Sequence, residues 1–201
     1  MFCRFPSFIL ASGSSIRCRI LKDAGLDFVS LPSSHEEPRP DPDEPASDYV
    51  LRAAQAKARA VATTRPAQIV VGCDQVVQFE DKILTKVKTL AQAKSRLITL
   101  SGREHHLVNG LVVIRDDLLI GEHLEIVSIT LRTLYPDTIE QYLDQEDTRS
   151  SVACYFIEGA GIQLIQSLDG SHLSALGLPL LALMDILETV DGAVRADAVD
   201  P

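Results

Sequence analysis

Tryptophan is absent from this 201-residue chain, and aromatic residues of all kinds make up 5%. Its four cysteines, Cys3, Cys18, Cys73 and Cys154, are far apart, with no CxxC pair and no histidine at zinc-ligand spacing. That excludes a disulfide scaffold and a zinc ribbon, and four reduced thiols are expected. The five histidines, at 35, 105, 106, 123 and 172, form no HxxxH or HExxH pattern, so no metal site is read there. No run approaches the roughly 18 apolar residues of a membrane-spanning helix. The N-terminal MFCRFPSFIL is broken by Arg4 and Pro6 and does not read as a signal peptide. Cations are in deficit: 19 Lys plus Arg against 28 Asp plus Glu, a formal net charge of −9. That argues against a nucleic-acid binder working by phosphate neutralisation, though a basic pocket for a small anion can sit on an acidic protein. No internal repeat or low-complexity segment is found.

What is present is an ordinary globular composition, 46% hydrophobic and 23% charged. A chain of this length buries about 70% of its unfolded surface and needs no staple. Ser7 to Leu10 reads as a buried strand, followed by the small-residue turn Ala11 to Ser15, a helix from Ile16 to Ala24 stopped by Gly25, and a strand from Leu26 to Leu31. This is an α/β opening. His35 to Pro45 is proline-rich and acidic, hence a loop. Ser47 or Asp48 is expected to cap a helix from Tyr49 to about Thr63, with Val50, Ala53, Ala54, Lys57 and Val61 on one face. Gln68 to Val77 suggests a central strand, and Leu90 to Leu100 a helix ended by Ser101-Gly102. Leu107 to Ile114 and Glu122 to Leu134 read as strands, with Asp116-Asp117 turning between them. Pro136 opens a helix to about Asp144. Cys154 to Ile157 and Gly161 to Ser167 are short strand or loop pieces. Leu176 to Thr189 is an apolar helix, and the tail from about Asp191 is expected to fray.

Several residues carry chemistry in this pattern. Ser12-Gly13-Ser14-Ser15 lies between a strand and a helix, where backbone N–H groups favour an anion, and Arg17 and Arg19 sit in the first helical turn, where the helix dipole disfavours cations. A phosphate cradle and a capped surface helix with solvated arginines both fit. Asp74 stands in the apolar VVGCDQVV, where a carboxylate is costly unless paired or facing a cleft. It is a base, a metal ligand or a strand-end residue bonded to nearby backbone. Lys57 shares an apolar helix face, as a site residue or a snorkelling lysine. Lys86, taken alone, reads as a surface lysine, and Glu158 in IEGAGI as a site acid or a turn. Glu36 and Glu37 are loop acids.

Taken in order, these islands resemble the Maf family, the septum-formation-inhibitor-like nucleoside triphosphate pyrophosphatases. LASGSSIR at 10–17 is similar to that family's LASxSPxR opening, DYVLRAAQAKARAVA at 48–62 to its YvxRLAxxKA helix, and VVGCDQVV at 70–77 to its iGxDxvv strand. ILTKV at 83–87 is similar to ilxKP, and LSGREHHLVNGLVVI at 100–114 to lsGxxhxxxTGlxl. IEGAGIQLIQSLDG at 157–170 and LGLPLLALMDIL at 176–187 complete a series in family order from about Ile9 to Leu187. Departures are Ser15 for Pro, Ile16 for a common Arg or Trp, Val87 for Pro, Asn109 for Thr, and Val152-Ala153 for Ala-Gly.

The resemblance implies an α/β fold with a mixed, curved sheet and two lobes around a central nucleotide-binding cleft, the whole of 1–201 forming one domain. It implies hydrolysis between the α- and β-phosphates of a nucleoside triphosphate. Asp74, Lys57 and Lys86 take the catalytic positions, and Ser12, Ser14 and Arg17 the phosphate positions. The pair Asp74-Gln75 and the acid Glu158 resemble the branch acting on 7-methyl-GTP rather than dTTP and UTP, with Gln75 and Glu158 toward the base. A divalent cation, Mg²⁺ by preference, is implied, with Asp74 and Glu37 as ligands; counting from Phe28 favours Glu37 over Glu36. Further expectations are a cytoplasmic protein with no nucleic-acid or membrane partner, for which a homodimer is allowed. The rival readings are a dTTP/UTP pyrophosphatase, an inosine triphosphate hydrolase, and a nucleotide-binding regulator of cell division with little turnover.

Overall fold

Two βα crossovers and two hairpins build most of the sheet. The computed structural model describes residues 5–33, 38–41 and 43–197, with side chains as far as Val190. Strand β1 (Phe8–Leu10) leads through helix α1 (Ser15–Asp23) to β2 (Phe28–Ser30), then through α2 (Ala46–Ala62) to β3 (Ile69–Phe79). Both crossovers return parallel to β1. Strand β4 (Lys82–Leu84) folds back antiparallel on β3. Helix α3 (Leu90–Leu100) precedes β5 (Glu104–Arg115) and β6 (Leu118–Leu131). Then come α4 (Pro136–Gln145), two 3-10 turns, β7 (Ile165–Asp169), the short α5 (His172–Ala175) and α6 (Leu180–Asp197). The sheet order is β2-β1-β3-β5-β6-β7, with β4 on β3 and β7 antiparallel to β6. This is the expected mixed α/β sheet. Among the described residues no helix is long and apolar enough to cross a membrane.

The chain divides into two compact units. The first takes the residues up to Asp74, Asn109–Glu125, and those from Gly177 onward; the second takes Gln75–Val108 and Ile126–Leu176. In the first, Ile9, Val70, Val112 and Ile114 pack against Ala54, Ala58 and Val61 of α2. The contact is close enough to need glycine. A Cβ at Gly72 would lie 2.1 Å from the Ala54 carbonyl oxygen, and one at Gly110 would lie 2.5 Å from that of Val50. Two missing side chains therefore let the α2 backbone rest on β3 and β5. In the second unit Leu97, Leu100, Ile129, Leu131, Ile139 and Leu164 form a separate core. There the buried His105 pairs its Nε2 with the Tyr155 hydroxyl at 2.6 Å.

The local signals worked as expected in several places. Asp116 and Asp117 have φ of 48° and 62°, the left-handed pair that a two-residue hairpin turn needs. Ser14 caps α1, and Thr89 with Gln92 forms a capping box on α3, two caps that the sequence reading did not assign. Other details differ. Neither Ser47 nor Asp48 caps α2: the helix begins at Ala46 after Pro45, without a side-chain cap, and the Ser47 hydroxyl donates to Asp48 instead. Proline suffices there because its fixed φ suits a helix entry. The last helix begins at Leu180, after Gly177 (φ 96°) interrupts the apolar run, and continues to Asp197 rather than stopping near Thr189. Of the cysteines, Cys18, Cys73 and Cys154 are free thiols.

Replacing Gly72 with alanine should destabilise the protein by about 1–3 kcal/mol in urea unfolding, because the new methyl meets a helix backbone that must lift. A loss below about 0.5 kcal/mol would mean that α2 is not seated on this residue. His105 generates a second expectation. Burial lowers its pKa from 6.5 to about 4, so between those values the unfolded chain holds a proton that the folded chain does not. Stability therefore falls as pH drops from about 6.5 to about 4, by up to about 3 kcal/mol from this residue alone. His105→Gln should flatten that part of the stability–pH curve.

Candidate functional site

The turn after β1 is organised around one hydroxyl. Ser12 is buried, and its Oγ accepts from the Ser14 backbone N–H at 3.2 Å and from Arg17 Nη1 at 3.2 Å. Its carbonyl accepts from the Ser30 hydroxyl at 2.8 Å. Ser14 Oγ accepts from the Arg17 backbone N–H at 3.3 Å, the N-cap bond. Arg17 then reaches away from its own helix. Nε donates to the Gly177 carbonyl at 2.7 Å and Nη1 to the Cys73 carbonyl at 3.0 Å. The guanidinium thus answers the puzzle of a cation in the first helical turn: backbone carbonyls and a hydroxyl compensate it. Arg19 is exposed.

Cys73 places its neighbour. At the next position on β3, Asp74 is 8% exposed, and Lys57 Nζ donates to its Oδ1 at 2.5 Å. The two side chains are 13% and 11% exposed, so this is a largely desolvated ion pair. Lys57 gets there because α2 rests on Gly72, two residues before Asp74 on the same strand. Both lie in the first unit together with Ser12, Ser14 and Arg17. The Cys73 thiol itself is fully buried, and that burial raises its pKa to about 11.

The same helix, from another face, steadies the loop before it. Arg52 grips Glu44 with two bonds, 2.8 and 2.6 Å, and Nη2 also donates to the Arg39 carbonyl. The Arg52 bond holds the Glu44 carboxyl below its ordinary range. Tyr49 donates to the Pro38 carbonyl at 3.0 Å. Glu36 and Glu37 lie outside the described residues. Among those described, no group of three or more His, Cys, Asp or Glu is placed to hold a metal ion.

The remaining predicted residues lie in the second unit. Gln75 directs its amide Nε2 to the carbonyls of Ser174 and Ala175, at 3.1 and 3.3 Å, and so ties β3 to α5. Lys86 is exposed in the segment after β4. Glu158 is exposed at a turn before the second 3-10 element, and a Cβ at the next residue, Gly159, would meet Glu146 Oε1 at 2.7 Å. Asn109, at a position where the sequence departs from the family pattern, is fully buried and donates to the Glu125 carbonyl at 3.3 Å.

Three supports of this site escaped the sequence reading: Gly72, Gly110 and the Gly177 carbonyl. An isolated glycine inside an apolar strand does signal close backbone approach, and Gly72 and Gly110 both carry that signal. Nothing local marks Gly177, whose partner is 160 residues away.

The model of Maf-like proteins matches residues 7–190. This chain belongs to the Maf-like protein family. A nucleoside triphosphate pyrophosphatase of Nitrobacter winogradskyi is 38% identical over 186 residues, 90% of this chain and 92% of that protein. A 7-methyl-GTP pyrophosphatase of Mesorhizobium japonicum is 37% identical over 193 residues, 92% of this chain and 96% of that one. Another 7-methyl-GTP pyrophosphatase, from Rhizobium etli, is 34% identical over 197 residues, 93% and 99% of the two chains.

The Asp74–Lys57 pair makes a stability test. Lys57→Met leaves a buried carboxylate without its closest cation and should lower the unfolding free energy by about 3–5 kcal/mol. Combining it with Asp74→Asn should recover most of that loss in a double-mutant cycle. Additive losses would mean that the two groups do not compensate each other.

Proposed function

We propose that this Maf-like protein is a nucleoside triphosphate pyrophosphatase, a hydrolase acting on acid anhydrides, and that its preferred substrate is 7-methyl-GTP. The enzyme class is supported by family membership and by relatives of that name covering nine-tenths of the chain. The observation that carries the chemistry is the buried Asp74–Lys57 pair beside a turn whose hydroxyls and arginine are already ordered.

In this reading Asp74 is the general base. It takes a proton from water as the water oxygen bonds to the α-phosphorus and the bridging oxygen leaves with the β-phosphate, giving a monophosphate and pyrophosphate. Lys57 holds the carboxylate in one orientation and offsets its burial. Ser12, Ser14 and Arg17 form the phosphate cradle. Arg17 is pre-organised by three contacts, so little freedom is lost when an anion arrives. Lys86 supplies further positive charge to the phosphates, where charge builds in the transition state. Glu158 accepts from the N1–H and N2–H edge of guanine, whereas thymine offers one N–H between two carbonyls. Gln75, with its amide committed to Ser174 and Ala175, serves base recognition by fixing the α5 turn.

Of the two carboxylates this reading gives to a divalent cation, the described one is Asp74, buried and already bound by Lys57. Mg²⁺ is commonly held by one or two carboxylates together with substrate phosphates and water, and Asp74 is a buried carboxylate of that kind. Asp74 and Glu37 would hold it, and when bound it neutralises phosphate charge. A cytoplasmic location, with no nucleic-acid or membrane partner, belongs to the same reading.

The test is pyrophosphate release across a nucleotide panel with Mg²⁺ present or withheld. 7-methyl-GTP should give the highest kcat/KM, about tenfold or more above dTTP, and Asp74→Asn should lower turnover about 10²–10⁴-fold. A preference for dTTP or UTP would overturn the substrate. An Asp74→Asn protein retaining half its rate would overturn the base.

A further inference from the structure

Between Lys82 and Arg103 the chain carries six lysines and arginines and no acid, although the whole sequence has 28 acids against 19 cations. Within the second unit this stretch forms a groove of about 490 Å³. One wall is Thr85, Lys86 and Lys88, and the other includes Ser95, Arg96 and Thr99 of α3; no carboxylate lines it. Positions 95, 96 and 99 share one helix face, and Lys86 and Lys88 are both exposed on the facing wall.

The cations of the stretch are not equivalent. Lys94 pairs with Glu140 and Arg103 with Glu80, both outside the groove. Arg96 donates to the carbonyls of Val152 at 2.7 Å and Thr85 at 3.2 Å, which fixes the Thr85–Lys88 wall to α3. The Lys88 and Thr89 backbone N–H groups both donate to Gln92 Oε1, at 2.8 and 3.2 Å, so the backbone of Lys88 is ordered as well. Among the described residues no carboxylate is paired with Lys86 or Lys88. An anchored wall carrying two ammonium groups, in a groove without acids, attracts a compact polyanion even on a protein of net charge −9.

We propose that this groove binds pyrophosphate, the leaving half of the substrate, and that Lys88 is a further phosphate-binding residue beside Lys86. The proposal rests on the pyrophosphatase reading for the source of the ligand, but its geometry does not depend on the base or on Asp74. Val87, which replaces the family's proline, lies between the two lysines with its side chain packed on the second core. Val87 also lines the groove, and the lysines on either side of it are exposed.

The experiment is calorimetric titration of the full chain with inorganic pyrophosphate, with no nucleotide present. Wild-type protein should bind. Lys88→Ala should raise Kd about tenfold, the size of one charge-assisted hydrogen bond. Lys94→Ala removes the same charge from the same region but outside the groove, and should leave Kd unchanged. Absence of binding by the wild type, an unchanged Kd in Lys88→Ala, or equal weakening in both variants would overturn the groove. The two readings fail separately. A protein that turns over nucleotides but binds pyrophosphate independently of Lys88 keeps the function and loses the groove. One that binds pyrophosphate through Lys88 yet hydrolyses no nucleotide keeps the groove and loses the function.

Discussion

The contact between the α2 backbone and two glycines sets the geometry on which the first unit depends. With no Cβ at Gly72 or Gly110, helix carbonyls approach the strands far more closely than side-chain packing allows. The alanines at 53, 54 and 58, all fully buried, are small for the same reason. Lys57 is on that helix and Asp74 on that strand, so their 2.5 Å contact follows from backbone proximity. Fixing the long lysine side chain in so defined a position costs up to about 2 kcal/mol of rotamer freedom, which the ion pair offsets.

Arg17 performs the corresponding task for the turn. One planar group joins the Ser12 hydroxyl, the β3 backbone at Cys73 and the segment leading into α6 at Gly177. Lysine could not do this, since a compact ammonium lacks the fixed fork that meets acceptors in separate directions. The first unit is assembled from three separate stretches of chain, and this side chain bonds to two of them. An anion at the turn would therefore meet a group already oriented, which is the usual requirement for electrostatic stabilisation without reorganisation.

Much of this was legible in the sequence, for identifiable reasons. The βαβ opening, the central strand around Asp74 and helix α3 follow from apolar periodicity and from turn residues. The Asp116-Asp117 hairpin follows because aspartate tolerates the left-handed region. Asp74 and Lys57 stood out because each was a charge on an apolar face, and burial of unlike charges favours pairing. What was not legible depends on distance along the chain. The use of Gln75 on the α5 backbone and of Arg17 on the Gly177 carbonyl involves partners 99 to 160 residues away. The 3-10 turns at 148–150 and 160–164 and the four-residue α5 are too short to show a period. The start of α2 was misjudged because two good capping residues lie inside the helix, while proline supplies the entry.

Cys73 adds a property unrelated to turnover. Its sulfur is one residue from Asp74 and its carbonyl is bound by Arg17, yet burial holds the thiol protonated up to about pH 11. Peroxides and electrophiles attack the thiolate, and at physiological pH almost none exists here. A cysteine whose thiolate formed readily at this position would be open to oxidation. The same tight seating that aligns Lys57 with Asp74 also encloses this sulfur, so of the described cysteines Cys73 is far less open to oxidants than the partly exposed Cys18.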